Sequence, residues 1–174
     1  MFKEAIKKTF ASSTVVSAVE IGCLDGKSAK TLLSSHDNLN LVSIDPFIPD
    51  SMEASLIGSM ALAIERNQED YNNKRFNIIE GYSWNVVSSF PDGSCDVLFI
   101  DGDHRYDSVL RDVILYTPKL RKGGLLFTHD CRMNRPGGAT FHKGPSRVAD
   151  ELLFSSKDWT LLGEAFSLAC FKKG

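Results

Sequence analysis

A glycine-rich turn between two apolar strands constrains this sequence most strongly. The segment VEIGCLDGKS, residues 19–28, is an apolar strand that runs into a turn with two glycines four positions apart, Gly22 and Gly26. A second apolar strand, LVSIDPF at 41–47, then leads to the carboxylate Asp45. In an open parallel sheet, the carboxyl ends of the strands form a crevice that binds nucleotide-like ligands. The sequence therefore predicts such a sheet, with glycines that let the backbone pass close to a ligand.

The charge of the turn selects among nucleotide-like ligands. A dinucleotide-binding turn has the spacing GxGxxG and directs a helix N-terminus at a pyrophosphate. Here the spacing is GxxxG, with Glu20 before the turn and Asp25 inside it. These carboxylates would repel a pyrophosphate and favour a nucleoside that carries positive charge. S-adenosylmethionine, with its sulfonium and ammonium groups, is such a nucleoside, and Asp45 is then predicted to accept hydrogen bonds from both ribose hydroxyls.

Strand and helix patterns alternate along the chain until a terminal hairpin. Apolar periodicity predicts helices at 2–10, 28–34, 54–71, 84–89, 106–120 and 146–154, and strands at 18–21, 41–44, 76–80, 95–101, 125–130, 159–165 and 167–171. This order predicts a doubly wound, mostly parallel, seven-stranded α/β sheet with an antiparallel C-terminal strand and helices on both faces. Residues 122–124 are expected to break the helix before them, and residues 131–145 to form a long loop. A length of 174 residues favours one domain over 1–174.

The composition argues against several classes of protein. The net charge of −2 offers no basic surface for nucleic acid or an anionic membrane. No stretch approaches the roughly 20 apolar residues of a membrane span, and the N-terminus lacks the apolar run of a signal peptide. The four cysteines are scattered, without CxxC pairs or zinc-like spacing. We therefore expect a cytoplasmic protein with reduced thiols that binds neither nucleic acid nor membrane.

Three blocks of the sequence resemble the motifs of one family. The segment 19–28 is similar to the first motif, and 41–47 to the second, of the Rossmann-like class I S-adenosylmethionine-dependent methyltransferases. The block 96–131, DVLFIDGDHRYDSVLRDVILYTPKLRKGGLLFTHDC, is the most specific. It closely resembles a subfamily of small-molecule O-methyltransferases that includes the macrocin-type sugar O-methyltransferases. The resemblance covers nearly the whole chain and implies S-adenosylmethionine as the methyl donor.

The resemblance also implies which residues contact the methyl donor. These cofactor-binding candidates are Glu20, Gly22, Gly26, Ser28, Asp45, Tyr82, Ser83 and Asp101. In the family, the acid at Glu20 lies under the methionine amino group, and the segment with Tyr82 and Ser83 contacts the adenine. Each role has a simpler alternative: Glu20 or Ser83 could cap the following helix, and Asp45 could start a turn before Pro46.

The same subfamily holds a divalent cation with an acid after the fourth strand and a pair of residues after the fifth. The matching positions here are Asp101, His129 and Asp130. Oxygen ligands suit Mg²⁺, and a histidine shifts the preference towards Mn²⁺, Fe²⁺ or Zn²⁺. The family usually has Asp or Glu where this chain has His129. A metal-free site, in which Asp130 orients His129 as a base, is therefore the alternative.

The predicted function is methylation of a hydroxyl on a small molecule, with a sugar as one candidate acceptor. A sugar alcohol barely ionises at neutral pH, so it needs a cation or a base, and Asp101, His104 and His129 are the candidate catalytic residues. Two alternatives stay open: a methyltransferase acting on nucleic acid or protein, and a non-catalytic nucleoside-binding protein of the same fold. The short segment before the first strand is compatible with an open site or with one completed by a second subunit of a homo-oligomer. His142 reads as a solvated residue of the long loop.

Overall fold

The computed structural model describes residues 1–48, 59–131 and 143–174, and these contain one seven-stranded sheet. The strands are β1 (Val16–Ile21), β2 (Leu39–Asp45), β3 (Phe76–Glu80), β4 (Cys95–Ile100), β5 (Leu120–Thr128), β6 (Trp159–Ala165) and β7 (Leu168–Lys173). The helices are α1 (Phe2–Thr9), α2 (Lys27–Leu33), α3 (Met60–Arg66), α4 (Gln68–Asn72), α5 (Ser83–Val86), α6 (Tyr106–Tyr116) and α7 (Lys143–Val148). Helix α5 continues as a 3₁₀ turn at Val87–Ser89, and α7 as a π-helical stretch at Ala149–Phe154.

The strand order is β3-β2-β1-β4-β5-β7-β6. Strands β1 to β5 are parallel, and β7 pairs antiparallel with both β5 and β6. The order reverses at β1, which lies between β2 and β4, so a crevice is expected at the carboxyl ends of these strands. This topology confirms the predicted doubly wound sheet with an antiparallel C-terminal strand.

Alternate residues of the central strands contribute side chains to two apolar layers, one on each face of the sheet. On one face, Phe99 of β4 and Phe127 of β5 pack edge-to-face against Phe2 of α1. The opposite face packs against α6 and α7, and α6 buries Val109, Val113 and Tyr116 there. The four cysteines are buried free thiols in these layers. Among the described helices, none has both the length and the apolar character of a membrane span.

Two predicted boundaries between α6 and β5 are wrong. Helix α6 ends at Tyr116 rather than near residue 120, because Pro118 has no backbone N–H to continue the helical hydrogen bonds. Residues 122–124 do not follow a helix but lie inside β5, where the pairing with β4 shifts register between Cys95 and Val97. Gly124 fits this irregularity because a Cβ there would lie 2.9 Å from the carbonyl oxygen of Asp96.

The long helix predicted at 54–71 is divided in the structure. Helices α3 and α4 meet at Asn67, whose buried amide group donates to the carbonyl oxygens of Gly26 at 3.0 Å and Ala63 at 2.9 Å. Residues 54–58 of that prediction lie outside the described residues, as do residues 132–142 of the predicted loop. Asn67 thereby ties α3 to the glycine-rich turn.

Candidate active site

A cleft of about 570 Å³ lies at the carboxyl ends of β1, β2 and β4. Its volume falls in the range of small-molecule sites. It brings together most of the residues predicted from sequence, namely Gly22, Ser28, Asp45, Tyr82, Ser83, Asp101, His104, His129 and Asp130. Glu20 and Gly26 do not line the cleft; the first is buried in β1 and the second supports the turn. His142 lies outside the described residues.

Both glycines of the turn adopt backbone conformations that glycine favours, with φ of +89° at Gly22 and +77° at Gly26. A Cβ at Gly22 would lie 2.6 Å from the carbonyl carbon of Asp101. A Cβ at Gly26 would lie 2.7 Å from the amide nitrogen of Asn67. The glycines are therefore required by the close packing of β1 against β4 and of α2 against α3, in addition to any approach of a ligand.

Asp25 does not present a free negative charge to the cleft. Its carboxylate pairs with the Lys27 ammonium at 2.9 Å and with the Arg66 guanidinium at 3.0 Å. Burial opposes ionisation of Asp25, but the hydrogen bond from Lys27 and the charges of Arg66 and Lys27 together outweigh it and hold the pKa of Asp25 below its usual range. The turn is thus less repulsive towards anions than the sequence predicts.

Asp45 binds the glycine-rich turn through its side chain. Its Oδ2 accepts hydrogen bonds from the backbone N–H groups of Cys23 at 2.7 Å and Leu24 at 2.8 Å, and its Oδ1 accepts from Phe47 N–H at 2.7 Å. The turn role that the sequence left open is therefore present. A carboxylate has about four acceptor positions, so Oδ1 keeps capacity for a ligand hydroxyl.

Glu20 is a fully buried carboxyl group beside Ser43 in the sheet. Its Oε2 accepts the hydroxyl proton of Ser43, whereas Oε1 has no hydrogen-bond partner among the described residues. Burial raises the pKa of Glu20 to about 7, against the opposing effect of the Ser28 and Ser43 hydroxyls. Glu20 does not cap a helix. An unpaired buried acceptor is costly, so Oε1 is suited to a donor supplied by a ligand or water.

We expect Glu20→Gln to stabilise the free protein at about pH 8. The Glu20 carboxyl has a pKa of 4.5 in the unfolded chain, and burial raises that pKa to about 7 in the folded protein. Between these values the unfolded chain binds fewer protons, so wild-type stability falls as the pH rises through this window. The difference between the two pKa values corresponds to roughly 3 kcal/mol of unfolding free energy once Glu20 is fully ionised in the folded protein.

Urea unfolding at two pH values measures this effect. Wild type and Glu20→Gln should have the same unfolding free energy below pH 4.5, the pKa of Glu20 in the unfolded chain. Above the folded-state pKa of about 7, Glu20→Gln should be the more stable of the two. Glu80→Gln, which changes an exposed carboxyl at the end of β3, is the matched control and should show no such separation. Equal stability of wild type and Glu20→Gln at both pH values would contradict the prediction.

Aromatic rings and a buried acid form the end of the cleft beside α5. The rings of Tyr82 and Trp84 stack with centroids 4.4 Å apart, and the Arg111 guanidinium lies 4.6 Å from the Trp84 centroid. Ser83 begins α5 and does not cap it; its hydroxyl donates to Oδ1 of Asp112. Aromatic rings with partly exposed faces suit a flat base.

Asp112 is a residue of the cleft that is not among those predicted from sequence. This residue is 5% exposed and lines the same end of the cleft. It lies on the buried side of α6, at helical spacing from the buried residues Val109, Val113 and Tyr116. An acid inside an apolar helix face was the available signal, because a buried charge needs a partner or a function.

Two acids and two histidines converge where β4 and β5 end. Nδ1 of His129 lies 3.1 Å from Oδ1 of Asp101 and 3.3 Å from Oδ1 of Asp130. Nε2 of His104 lies 3.2 Å from Oδ2 of Asp130 and 3.8 Å from Oδ1 of Asp101. This group contains all three residues predicted as cation ligands, Asp101, His129 and Asp130. It also contains His104, which the sequence predicts only as a catalytic residue.

His129 is held on both sides of its ring. Its Nε2 lies 3.2 Å from the Ser167 hydroxyl in the β6–β7 hairpin. Hydrogen bonds to Asp101 and then to Asp130 raise the pKa of His129 to about 10. Asp130 itself has a φ of +52°. A non-glycine residue in this conformation is uncommon, and such strain clusters at functional sites.

The donor atoms fit a divalent cation. One ligand atom each from Asp101, His104 and Asp130 lies within 4.8 Å of the others. Ligands about 2.1 Å from a shared ion have separations of this order. The carboxylate oxygens suit Mg²⁺, and the imidazole nitrogen shifts the preference towards Mn²⁺.

Comparison with known proteins identifies the family. Residues 19–131 match the model of a protein family described as "Methyltransferase domain". The matched segment runs from β1 to the residue after Asp130, so it includes the glycine-rich turn and the acid–histidine group. The chain belongs to this methyltransferase family. An uncharacterized protein of Acanthamoeba polyphaga mimivirus is 32% identical over 119 residues, which are 64% of this chain and 50% of that protein. The chain thus spans about half the length of this relative.

Solved structures of methyltransferases share the fold. A putative caffeoyl-CoA O-methyltransferase from Staphylococcus aureus is 21% identical, with a TM-score of 0.69 over 99% of this chain and 80% of that one. The O-methyltransferase TomG from Streptomyces achromogenes, solved with S-adenosylmethionine, is 14% identical, with a TM-score of 0.69 over 99% of this chain and 77% of that one. These likenesses confirm the predicted Rossmann-like fold of class I S-adenosylmethionine-dependent methyltransferases.

Proposed function

We propose that this domain transfers a methyl group from S-adenosylmethionine to a hydroxyl of a small molecule, with a divalent cation beside the acceptor. The observation that carries the proposal is one cleft with two chemically different ends. One end has a ribose-type acceptor, Asp45, and aromatic rings, and the other has the acid–histidine group. Glu20 is buried in β1, between β2 and β4, and does not itself line the cleft, but its unpaired Oε1 suits a donor such as the ammonium of the methyl donor.

The transfer forms a bond between the acceptor oxygen and the methyl carbon and breaks the bond from that carbon to sulfur. The electron pair of the broken bond stays on sulfur, and the hydroxyl proton passes to a base. The protein has to align the reactants and receive this proton, so positioning supplies much of the rate. A cation held by Asp101, His104 and Asp130 would supply stabilisation of the developing alkoxide.

The two histidines have different surroundings, and we assign them different roles. His104 belongs to the set of ligand atoms within 4.8 Å, so we assign it to the cation. His129 is the more exposed, at 38% against 17% of the side chain, and Asp101 and Asp130 orient it. We assign it as the base. Because a cation would share the same carboxylates, the imidazole should release its proton more easily when the cation is bound.

Calorimetry with S-adenosylhomocysteine tests the cofactor assignment directly. We expect binding at micromolar concentrations by the purified, folded domain. Glu20→Gln, which should stabilise the free protein, should weaken this binding because a neutral amide attracts an ammonium less than a carboxylate does. A folded sample that binds neither S-adenosylmethionine nor S-adenosylhomocysteine would overturn the proposed function.

Asp45→Ala should lower both cofactor affinity and stability. Loss of a charge-assisted contact to the ribose should weaken binding roughly ten- to a hundred-fold. The free protein should also melt at a lower temperature, because the N–H groups of Cys23, Leu24 and Phe47 lose their acceptor. Calorimetric titration and thermal scanning measure the two effects.

Asp45→Asn is the matched variant for this test. Its amide oxygen still accepts a hydrogen bond, so Asp45→Asn should retain part of the wild-type stability. It should retain a smaller part of the affinity for S-adenosylhomocysteine. A lower melting temperature with unchanged affinity for S-adenosylhomocysteine would show that Asp45 only supports the turn.

A further inference from the structure

Helix α7 packs against the acid–histidine group. A small cavity is lined by Asp101, His104 and His129 of that group and by Pro145 and Val148 of α7. Its volume of about 10 Å³ is enough for one water molecule at most. The helix and the group are therefore almost in contact, and the position of α7 bears on the position of these side chains.

Gly144, in the first turn of α7, packs on the backbone that carries His104. A Cβ on Gly144 would lie 2.2 Å from the carbonyl oxygen of His104 and 2.7 Å from the backbone nitrogen of Tyr106. The φ of Gly144 is outside the left-handed region, and the residue is helical. Glycine is therefore needed here for space and not for its backbone freedom. Any side chain at this position would separate α7 from the segment between β4 and α6.

Two further contacts hold α7 in this place. The Ser146 hydroxyl donates to the backbone carbonyl oxygen of Asp130 at 3.4 Å. The Tyr106 hydroxyl donates to Oε2 of Glu151 at 2.6 Å, and Oε1 of the same carboxylate accepts from Nε of Arg147 at 2.7 Å. The Arg147 guanidinium also covers the Tyr106 ring, 4.2 Å from its centroid. One helix thus contacts both chain segments that supply the candidate cation ligands, the one after β4 and the one after β5.

We propose that Gly144 is a positioning residue of the cation site, because it lets α7 hold His104 within ligand distance of Asp130. This inference rests on the cation of the proposed function and names a residue on which its binding depends. Gly144 lies beyond residues 19–131, the segment that matches the methyltransferase family, so the family match gives it no role.

The distances at the site leave little room for movement of His104. Its Nε2 lies 3.2 Å from Oδ2 of Asp130 and 3.8 Å from Oδ1 of Asp101. The groups of a binding site have to stay within roughly 0.5 Å of their productive places. To relieve the overlap of a Cβ at Gly144, the distance of 2.2 Å would have to grow to roughly 3.5 Å, a displacement of about 1 Å. Because the overlap is with backbone atoms, no side-chain rotation relieves it.

Gly144→Ala tests the inference by titration of the domain with Mn²⁺ alone and by calorimetry with S-adenosylhomocysteine. We expect Mn²⁺ to bind roughly ten- to a hundred-fold more weakly than to the wild type. The affinity for S-adenosylhomocysteine should stay unchanged, because the atoms nearest to Gly144 belong to residues 104–106 and not to the glycine-rich turn. Gly163→Ala is the matched control: a Cβ there would meet nothing within 4 Å, and both affinities should stay at the wild-type value.

Tyr106→Phe is the second variant, for the case in which Gly144→Ala does not fold. It removes the hydroxyl contact with Glu151 without adding an atom, so it should weaken Mn²⁺ binding about threefold and spare S-adenosylhomocysteine. Wild-type Mn²⁺ affinity in Gly144→Ala, or in Tyr106→Phe where Gly144→Ala does not fold, would overturn the inference.

Two other outcomes separate this inference from its alternatives. Equal losses of Mn²⁺ and S-adenosylhomocysteine affinity in Gly144→Ala would show that the residue only supports the fold, and would overturn the inference while leaving the proposed function intact. A wild-type domain that binds S-adenosylhomocysteine but not Mn²⁺ would instead overturn the cation of the proposed function, and this inference with it.

Discussion

Replacing Asp101 by Asn is expected to remove most methyl transfer, by roughly 10²- to 10⁴-fold. Asp101 is the acid of the candidate site that follows β4, and its Oδ1 contacts both histidine rings. The variant loses a charge that the proposal uses twice, to hold the cation and to orient the base. The measurement is turnover with an accepted substrate, before and after EDTA. Asp107→Asn, with the same loss of charge on exposed surface, should retain wild-type turnover.

The two proposed roles separate in the histidine variants. If the assignment holds, His104→Ala should lose Mn²⁺ binding, measured by titration of the protein with the metal alone, and His129→Ala should keep Mn²⁺ binding but lose turnover. EDTA should abolish wild-type activity, and added Mg²⁺ or Mn²⁺ should restore it. If turnover resists EDTA but is lost in His129→Ala, the site works without a metal, and His129 is a base that Asp130 orients. Turnover that survives both EDTA and Asp101→Asn would contradict both versions.

The sheet could be predicted from sequence because its signals are local. The glycine-rich turn after β1, the carboxylate at the end of β2 and the near-continuous apolar run of β4 each lie within about ten residues of chain. A buried parallel strand and a strand–turn–helix junction need particular residues at particular spacings, so short windows suffice to predict them. The errors fell where local signals compete, as at residues 122–124, where a glycine pair marks a strand irregularity rather than a helix end.

The partners of the turn could not be predicted because they come from distant parts of the chain. Asp25 is paired by Arg66, and Gly22 is required by the backbone of Asp101. A sequence pattern shows that a glycine or an acid is present, but only the packing of other elements shows what it faces. The prediction that acidic residues repel anions therefore overestimated the free charge of the turn.

The acid–histidine group shows the same limit in the candidate site. The carboxyl ends of neighbouring parallel strands meet at one edge of the sheet, so a meeting of Asp101 with His129 and Asp130 could be expected. The approach of His104 to Asp130 depends on the path of the chain between β4 and α6. Gly144 lies against this path, since a Cβ there would be 2.7 Å from the backbone nitrogen of Tyr106. No local pattern in 101–106 reports that contact.

Replacing Gly22 by Ala is expected to impair the fold and the site together. Its φ of +89° is unfavourable for any side chain, and the new Cβ would lie 2.6 Å from the carbonyl carbon of Asp101 and 2.9 Å from the Cα of Gly102. The end of β4 would have to move, and Asp101 with it. We expect roughly 2–4 kcal/mol lower stability and the loss of most affinity for S-adenosylhomocysteine.

Gly93→Ala isolates the part of this effect that comes from the backbone. Gly93 has a φ of +68°, but a Cβ there would meet nothing within 4 Å. This variant should lose only about 1 kcal/mol, the cost of a side chain in the left-handed region, and should bind S-adenosylhomocysteine as the wild type does. Urea unfolding and calorimetry on the two variants therefore separate strain from displacement of β4. If Gly22→Ala proved no less stable than Gly93→Ala and still bound the nucleoside normally, the close approach of β1 to Asp101 would not be what requires glycine at this position.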